Sequence, residues 1–345
     1  MIPTANENKT QLTAFGELVL RLHSKDGRRF LQSSGYDAYY GGAEANVCVL
    51  LSRLGIRTDF ITRIPDNDIA LAGVQQLRSH SVGTDHIIYG GDILGLYFTE
   101  PGNVIRSSRV IYDRSASSYA ALHAGMIDWK NVLKDVKYFH WSGVAAAVSQ
   151  GAADACAEAL DAAHENGVII SSDFNYRSTL WKYGKHPNEI MPALLHNSEI
   201  VVADLDVVSI YYGIETDKHA TIEERFKQCC EKLKEKLPLM KVLAMSFRKA
   251  SGLTHHYSGA LMHDNAYYFT EGFQLPFITD QIGSGDAFTA GMLYGVINKH
   301  EPQKIIEFAT ACGALKQSIV GDWAIITKEE IEQFLQSGSS GRIIR

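Results

Sequence analysis

The spacing of hydrophobic residues in the first 80 positions predicts alternating strands and helices. Residues 12–22 and 59–63 carry the short apolar runs of strands, and residues 68–80 have the spacing of a helix. Between the two strands, residues 41–54 are predicted to form a loop and a second helix. Its apolar side consists of Val47, Leu50, Leu51 and Leu54. This alternation predicts a parallel sheet with helices on both faces.

The middle of the chain interrupts this alternation. Residues 95–100 and 109–114 are strand-like and flank a Pro-Gly-Asn turn, which predicts a β-hairpin. An antiparallel hairpin between βα units is expected to lie outside the main sheet. We therefore expect a small β lid, formed by about residues 24–40 and 89–116, over one end of the sheet.

Beyond the hairpin the alternation resumes. Strands are predicted over residues 136–141, 168–173, 199–203 and 241–245, with a second hairpin over 259–269 and a helix over 150–166. The final helix is predicted to begin at Glu301-Pro302, because proline is favoured in the first helical turn. No repeat or linker divides the sequence. The fold expected is a single α/β domain of residues 1–345, a doubly wound, mainly parallel sheet flanked by helices, with the lid inserted.

A glycine-rich turn precedes the helix predicted after residue 286. Residues 280–286 read Asp-Gln-Ile-Gly-Ser-Gly-Asp. Glycine lets the backbone approach a ligand closely, and a helix N-terminus offers unpaired N–H groups and the positive end of the helix dipole. Asp286 lies at that positive end, where its carboxylate is favoured and can accept a proton from a substrate hydroxyl. A helix cap without any ligand explains the Gly-Ser-Gly-Asp part equally well.

The longer string resembles the Asp-Thr-x-Gly-Ala-Gly-Asp signature of the ribokinase-like (phosphofructokinase B) sugar kinases. Gln281 replaces the usual threonine and Ser284 the usual alanine. The resemblance implies a ribokinase-like fold, with Asp286 as the catalytic base. It implies an anion hole formed by the amides of Ile282, Gly283, Ser284 and Gly285. It also implies ATP and Mg²⁺ as cofactors, and it leaves open a monovalent cation such as K⁺.

A second loop-to-helix junction, Gly41-Gly42-Ala43-Glu44-Ala45-Asn46, supports the same resemblance. On its own it is explained equally well by a tight turn and a helix cap. The ribokinase-like family has a Gly-Gly-x-x-x-Asn near its N-terminus that holds sugar hydroxyls, which implies that Gly42 and Asn46 bind substrate. An amide side chain offers both a donor and an acceptor, as recognition of a polyol requires.

Other stretches resemble 2-keto-3-deoxygluconate kinases. They are Gly95-Leu96-Tyr97-Phe98, the segment 106–117 and Asp173-x-Asn175-Tyr176-Arg177. The resemblance implies that an acid substrate is held by Tyr97, Tyr112, Arg114 and Arg177. Tyr112 and Arg114 are expected on one strand face, and planar guanidinium groups bind carboxylates in bidentate fashion. Lid packing remains an alternative role for Tyr97, and a structural charge remains one for each arginine.

Nucleotide contacts are less sharply marked. The resemblance implies that Gly283 and Gly285 of the glycine turn also bind the nucleotide, at its phosphates. Ser246, Arg248 and Gly252 follow a strand end, where open α/β sheets bind ligands. Small residues on the helix that begins near residue 301 would let a flat adenine pack beside it, although close helix packing explains them equally well. These residues are Ala309, Cys312 and Gly313.

The stretch expected to organise the metal departs from the family's pattern. Where the family often has Asn-x-x-Glu after a middle strand, this chain has Asp204-Leu205-Asp206-Val207. Asp204 can stand in for the asparagine, but Val207 has no ligand atom and Asp206 is one position off. Kinases hold Mg²⁺ largely through phosphates and water. The metal ligands therefore stay undetermined, with Asp204 and Asp206 as weak candidates acting through water.

Composition and charge restrict the partners. The net charge of −6 and the lack of a Lys/Arg run argue against nucleic acid. The five cysteines have no Cys-x-x-Cys spacing and are expected to be reduced and mostly buried. No apolar run reaches transmembrane length, and the polar first eleven residues do not resemble a signal peptide. We expect a cytoplasmic protein, with no membrane partner, that forms a homo-oligomer (a dimer or higher) through the lid.

Together these features favour an ATP-dependent sugar-acid kinase that phosphorylates the 6-hydroxyl of 2-keto-3-deoxygluconate. The nearest alternative is another sugar kinase of the same family, such as a fructokinase. A non-catalytic sugar-acid-binding regulator is a second alternative, because the metal stretch departs from the family's pattern. The choice between the gluconate and galactonate epimers stays open, as do the oligomeric state and the nucleotide preference.

Overall fold

A computed structural model describes residues 10–102, 106–251 and 254–337, without the side chains of residues 250, 251 and 337. Within this part of the chain the strands are β1 (Leu12–Phe15), β2 (Val19–Ser24), β3 (Tyr36–Gly41), β4 (Thr58–Ile61), β5 (Arg63–Ile64), β6 (Ile88–Tyr89), β7 (Gly95–Glu100), β8 (Arg109–Asp113), β9 (Tyr138–Ser142), β10 (Ile169–Asp173), β11 (Ile200–Val202), β12 (Val242–Ser251), β13 (Thr254–His263), β14 (Ala266–Phe269) and β15 (Phe273–Leu275). The α-helices are α1 (Ala43–Arg53), α2 (Asp68–Ser79), α3 (Trp129–Val132), α4 (Gly143–Ala147), α5 (Gln150–Glu165), α6 (Pro187–Leu195), α7 (Leu205–Tyr212), α8 (Ile222–Lys236), α9 (Ser284–Ile297), α10 (Pro302–Lys316) and α11 (Lys328–Ser337).

The main sheet is mixed but mainly parallel. Its strand order is β14-β13-β12-β11-β10-β9-β1-β4, with β15 paired to β13. The six strands from β12 to β4 in this order run parallel, and β13 and β14 join antiparallel at one edge. The order reverses between β1 and β9, so the crevice at their carboxyl ends is where such sheets bind ligands. The predicted α/β architecture is confirmed.

Alternating strand residues bury both faces of this sheet. On β12, Leu243 packs in the core formed with α5–α8, whereas Ala244 packs in the core formed with α1, α2, α9 and α10. On β11, Val201 and Val202 divide between the same two cores. Successive side chains of a strand point to opposite faces, so helices cover the sheet on both sides.

The lid is a second sheet of four strands in the order β3-β2-β7-β8. The predicted hairpin is confirmed, because β7 and β8 pair antiparallel with Tyr97 opposite Tyr112. Strand β2 also belongs to this sheet, and it begins at residue 19, before the predicted lid boundary at residue 24. The assignment of lid and sheet to one domain stays a prediction.

Two of the predicted elements were wrong. The single strand over residues 12–22 is two strands, because the chain leaves the main sheet at Gly16-Glu17 and enters the lid. A Cβ at Gly16 would collide with the buried carboxyl group of Glu44, so glycine fits this exit without displacing that side chain. The helix beginning at Pro302 is not the last, since α11 follows it.

The five cysteines are buried and have free thiols, as expected. Within the described residues, no helix is both long and apolar enough to cross a membrane.

Candidate active site

The two glycine turns singled out in the sequence meet at the carboxyl edge of the main sheet. They begin α1 and α9, two helices that pack against each other. The Asn46 Nδ2 of α1 donates a hydrogen bond to the Asp286 Oδ2 of α9 at 2.6 Å. The predicted sugar-binding amide and the predicted base, 240 residues apart in sequence, are therefore in direct contact.

The glycine-rich start of α9 has one glycine, at the N-cap, that the backbone requires and one, in the first helical turn, that faces open space. Gly283 has φ 81°, and a Cβ there would collide with the carbonyl oxygen of Asp322. A Cβ at Gly285 would meet no atom within 4 Å. Gly285 is exposed in the first turn of the helix, where N–H groups lack helical partners. A ligand can approach the helix N-terminus at this position.

The four amides predicted to form the anion hole are not equivalent. The Ile282 N–H donates to Asp280 Oδ1 at 3.1 Å, and the Ser284 N–H donates to the Gln281 carbonyl at 3.2 Å. Among the described residues the Gly285 N–H has no such partner. The structure thus leaves Gly285 more available to an anion than Ile282 or Ser284.

Asp286 is partly buried, and burial raises the pKa of its carboxyl group above the ordinary value. The hydrogen bond from Asn46 and the positive charges of Arg177 and Lys316 act in the opposite direction. A carboxylate with a raised pKa is a stronger base while it stays ionised, which suits proton abstraction from a hydroxyl.

Two further carboxyl groups lie beside Asp286. Burial, and next the negative charge of Asp286, raise the pKa of Asp173 to about 7. Burial also raises the pKa of Glu44 to about 7, although its Oε1 accepts a hydrogen bond from Ser142 Oγ at 2.6 Å. Asp173 and Glu44 both belong to sequence motifs described above, but neither was assigned a role from the sequence.

The inner face of the lid carries a row of polar and aromatic side chains. Arg21 on β2 lies opposite Tyr39 on one neighbouring strand and Tyr97 on the other, and Tyr97 lies opposite Tyr112. The Tyr97 and Tyr112 rings are 5.9 Å apart. Tyr112 also packs in a small cluster with Leu180, near the loop after β10. The lid therefore closes over the edge where Asp286 lies.

Arg21 and Tyr97 tie the lid to the glycine turn. Arg21 is fully buried and donates to both oxygens of Asp280, at 3.2 and 2.6 Å. It forms a second ion pair with Asp322, 2.9 Å between Nε and Oδ1, and the Tyr97 hydroxyl donates to Asp322 as well. Arg21 and Asp322 were missed from the sequence. A charged residue inside the apolar run 18–22 was the one available signal for Arg21.

Arg114 has a protein partner for its charge. It is 7% exposed, and its Nε donates to Glu17 Oε2 at 2.6 Å, with a second contact from its terminal nitrogen. Glu17 is itself buried. Arg114 was expected on one strand face with Tyr112, but β8 ends at Asp113, and Arg114 follows the strand. Its guanidinium nevertheless lies 5.9 Å from the Tyr112 ring.

Arg177 differs from Arg114 in both its exposure and its ion pairing. It lies exposed in the loop after β10 and forms no ion pair with any residue that the structure describes. It nevertheless acts electrostatically on Asp173 and Asp286. Arg177 is thus an unpaired guanidinium next to the candidate base.

A model of the pfkB family carbohydrate kinases matches residues 9–322. The chain belongs to this family. It is 29% identical over 334 residues to a 2-dehydro-3-deoxygalactonokinase from Haloferax volcanii, covering 96% of this chain and 98% of that protein. It is 24% identical over 351 residues to a 5-dehydro-2-deoxygluconokinase from Geobacillus kaustophilus, covering 100% and 99%.

A crystal structure of a 2-dehydro-3-deoxygluconokinase from Thermotoga maritima superimposes with a TM-score of 0.90 at 30% identity, covering 95% of this chain and 100% of that one. These matches confirm the predicted membership of the pfkB carbohydrate kinases and the ribokinase-like fold.

Besides Gly283 and Gly285, the nucleotide residues predicted in this pfkB kinase fall into two groups. Arg248 lies against the glycine turn, donating to Gln281 Oε1 at 3.2 Å and Ser284 Oγ at 3.1 Å. Ser246 lies two residues earlier on the same strand face. Both residues lie within β12, which continues to Ser251, so the prediction that they follow the strand end was wrong. Gly252 lies outside the described residues. The second group is buried: Ala309 and Cys312 leave no room for a Cβ on Gly291 of α9, and Tyr257 of β13 leaves none on Gly313. A nucleotide role for either group stays a prediction.

The two metal candidates are exposed near the same edge. Asp204 caps α7, accepting a hydrogen bond from the Val207 N–H at 2.8 Å. Asp206 lies in the first turn of that helix. Within the described residues no three His, Cys, Asp or Glu side chains are grouped to hold a metal ion.

Lys316 is another residue that the sequence reading missed. It is fully buried at the end of α10, its Nζ donates to the Ile319 carbonyl at 3.0 Å, and its side chain lies directly behind Gly283. Burial lowers the pKa of its ammonium group below the ordinary value, although the nearby carboxylates Asp280 and Asp322 act in the opposite direction.

Proposed function

We propose that this protein is a sugar-acid kinase that transfers the γ-phosphate of ATP to the 6-hydroxyl of 2-keto-3-deoxygluconate, giving 2-keto-3-deoxy-6-phosphogluconate. The observation that carries the proposal is the contact between Asn46 and Asp286 beside an open glycine turn. It joins a hydroxyl-binding group, a base and an anion site. The names of the three relatives described above, each a kinase of a dehydro-deoxy sugar acid, support the substrate class.

Catalysis would consist of positioning and charge stabilisation. Asp286 takes the proton of the attacking hydroxyl. Asn46 holds that carboxylate with its Nδ2, while its Oδ1, buried without a partner among the described residues, is left to accept from a second hydroxyl. The Gly285 amide and the α9 N-terminus face the transferring phosphoryl group. The lid excludes water.

The residues present are compatible with Mg²⁺ held mainly by the nucleotide. Mg²⁺ keeps several waters and binds through phosphates with few protein ligands. Asp204 and Asp206 are the carboxylates proposed to reach it through water. When bound, the ion neutralises charge on the phosphates. A requirement for K⁺ or another monovalent cation stays a prediction.

The acid end of the substrate is proposed to bind at Arg177, opposite the lid residues Tyr97, Tyr112 and Arg114. Arg177 supports this role because its charge is exposed and unpaired in the described structure. Arg114 is already neutralised by Glu17. It would contribute mainly by holding Tyr112 in place.

The proposed homo-oligomer is supported by the outer face of the lid. Ile111 is 47% exposed and lies beside Phe98, which in turn lies beside Leu22. Phe98 and Leu22 are half-buried. Contiguous apolar side chains at a protein surface often mark interaction sites. Light scattering on wild type and Ile111→Asp tests this. A dimer or larger assembly converted to monomer supports the proposal, and a monomeric wild type contradicts it.

A coupled ADP-release screen tests the substrate. The panel contains 2-keto-3-deoxygluconate, its galactonate epimer, 5-keto-2-deoxygluconate and the neutral ketose fructose. We expect the highest kcat/KM for a 2-keto-3-deoxy acid. A preference for fructose would contradict the sugar-acid substrate class but leave the assignment as a kinase intact. Binding of a sugar acid without ADP release would favour a non-catalytic regulator.

A further inference from the structure

Asp173, the last residue of β10, uses its two carboxyl oxygens for two different elements of the site. Its Oδ1 accepts a hydrogen bond from the Asn175 N–H at 3.1 Å. Its Oδ2 accepts one from the Thr289 Oγ1 of α9 at 3.2 Å. One side chain therefore joins the loop after β10 to the helix that carries Asp286.

The first bond shapes the loop that carries Arg177. Asn175 has φ 26°, in the left-handed region that asparagine tolerates better than most residues. A carboxylate accepting from the N–H two residues ahead is an Asx-turn, which stabilises such a reversal. Arg177 follows two residues later, so its approach to the site depends on this turn.

The hydrogen bond from Thr289 connects Asp173 to α9 about one helical turn after Asp286, the proposed base. Thr289 is three residues after Asp286, and residues at this spacing lie on the same helix face. Thr289 is fully buried, so its hydroxyl is shielded from competing water. Movement of the loop relative to α9 would break this bond.

We propose that Asp173 is a positioning residue that fixes the separation between Arg177 and Asp286, and thereby holds the carboxylate end and the reacting hydroxyl of an acid substrate at a set distance. The inference rests on the proposed function, because it assigns the carboxylate to Arg177.

The charge of Asp173 gives the proposal a second consequence. Its pKa of about 7 means that it passes from neutral to ionised near neutral pH. The charged or titratable groups that face it are Asp286 on α9, Arg177 on its own loop and Tyr211 on α7. Once ionised, Asp173 competes with the substrate carboxylate for Arg177. The KM for the acid substrate is expected to rise as the pH increases from 6 to 8.

Thr289→Val tests the positioning role, because valine matches threonine in shape but cannot donate the hydrogen bond to Asp173. Thr58→Val is the matched control: Thr58 is also buried and hydrogen-bonded, but it lies at the opposite end of the sheet. We expect Thr289→Val to lower kcat/KM for the keto acid about tenfold, and Thr58→Val to change it less than twofold. Equal kinetics in the two variants would overturn the proposal.

Hydrogen exchange of the residue 174–178 amides provides a readout that needs no substrate. Faster exchange in Thr289→Val than in Thr58→Val supports the link, and equal exchange rejects it. This measurement decides the link even if wild type fails to phosphorylate the keto acid, a result that would refute the proposed function alone.

Asp173→Asn separates the charge from the geometry. Asparagine keeps an acceptor for the Asn175 N–H but does not titrate. We expect its KM for the keto acid to be independent of pH between 6 and 8, in contrast to wild type. The same KM–pH profile in both proteins would contradict the role of the Asp173 charge.

Discussion

The lid side and the sheet side of the site treat charge in opposite ways. On the lid side, Arg21 and Arg114 are buried and each is paired with one or more carboxylates. On the sheet side, Arg177 is exposed and has no ion pair within the described structure, and Asp286 is held by a neutral amide. A buried charge is tolerated when it is paired, whereas a charge that must bind a substrate has to be left free. Pairing therefore separates the groups that hold the site together from those available for chemistry.

Among the variants that test this comparison, Asp286→Asn should have the largest effect on activity. We expect kcat to fall by about a hundredfold to ten-thousandfold, the usual contribution of a positioned base, with little change in KM. Steady-state kinetics on the folded variant measures it. Turnover within a few-fold of wild type would remove Asp286 from the mechanism.

Arg114→Ala should act on stability more than on specificity. Removing one partner of a buried ion pair typically costs about 3–5 kcal/mol, because Glu17 would remain buried and unpaired. Urea unfolding measures the loss. The double variant Glu17→Gln with Arg114→Ala should recover part of it. A stability change below about 1 kcal/mol, with a selective loss of activity on the keto acid, would place Arg114 with the substrate-binding residues instead.

Arg177→Ala should show the opposite profile. We expect kcat/KM for the keto acid to fall about tenfold to a hundredfold, with fructose affected much less and unfolding free energy changed by less than about 0.5 kcal/mol. Arg109→Ala is the matched control, since Arg109 is an exposed arginine on β8. Equal losses for acid and neutral substrates would leave Arg177 without a role in acid recognition.

Glu44→Gln tests whether the buried carboxyl group of Glu44 titrates with a raised pKa. The pKa of Glu44 is raised from 4.5 to about 7, so the native state binds the proton more tightly than the unfolded chain. Unfolding free energy should therefore fall as pH rises from about 4.5 to 7, by up to about 3 kcal/mol for this group. The glutamine variant should lose less stability over that window. Identical pH dependence of unfolding in the two proteins would show that Glu44 titrates normally.

Much of the fold follows from local pattern in the sequence. The helix beginning at residue 43 and the hairpin of β7 and β8 have regular apolar spacing and turn residues, and they form where predicted. The glycine turn before α9 also identifies Asp286 at a helix N-terminus, because glycine and helix polarity act within a few residues.

The tertiary structure alone decided which charges are paired. Glu17 and Arg114 are 97 residues apart, and Arg21 and Asp280 are 259 apart, so no local spacing predicts that they meet. The exit of the chain from β1 into β2 was missed for a related reason: an apolar run identifies a strand, but the sheet it joins depends on its distant partners. Burial and long-range pairing determine whether an arginine holds the lid or remains free to bind, and both properties arise only when the separate segments fold together.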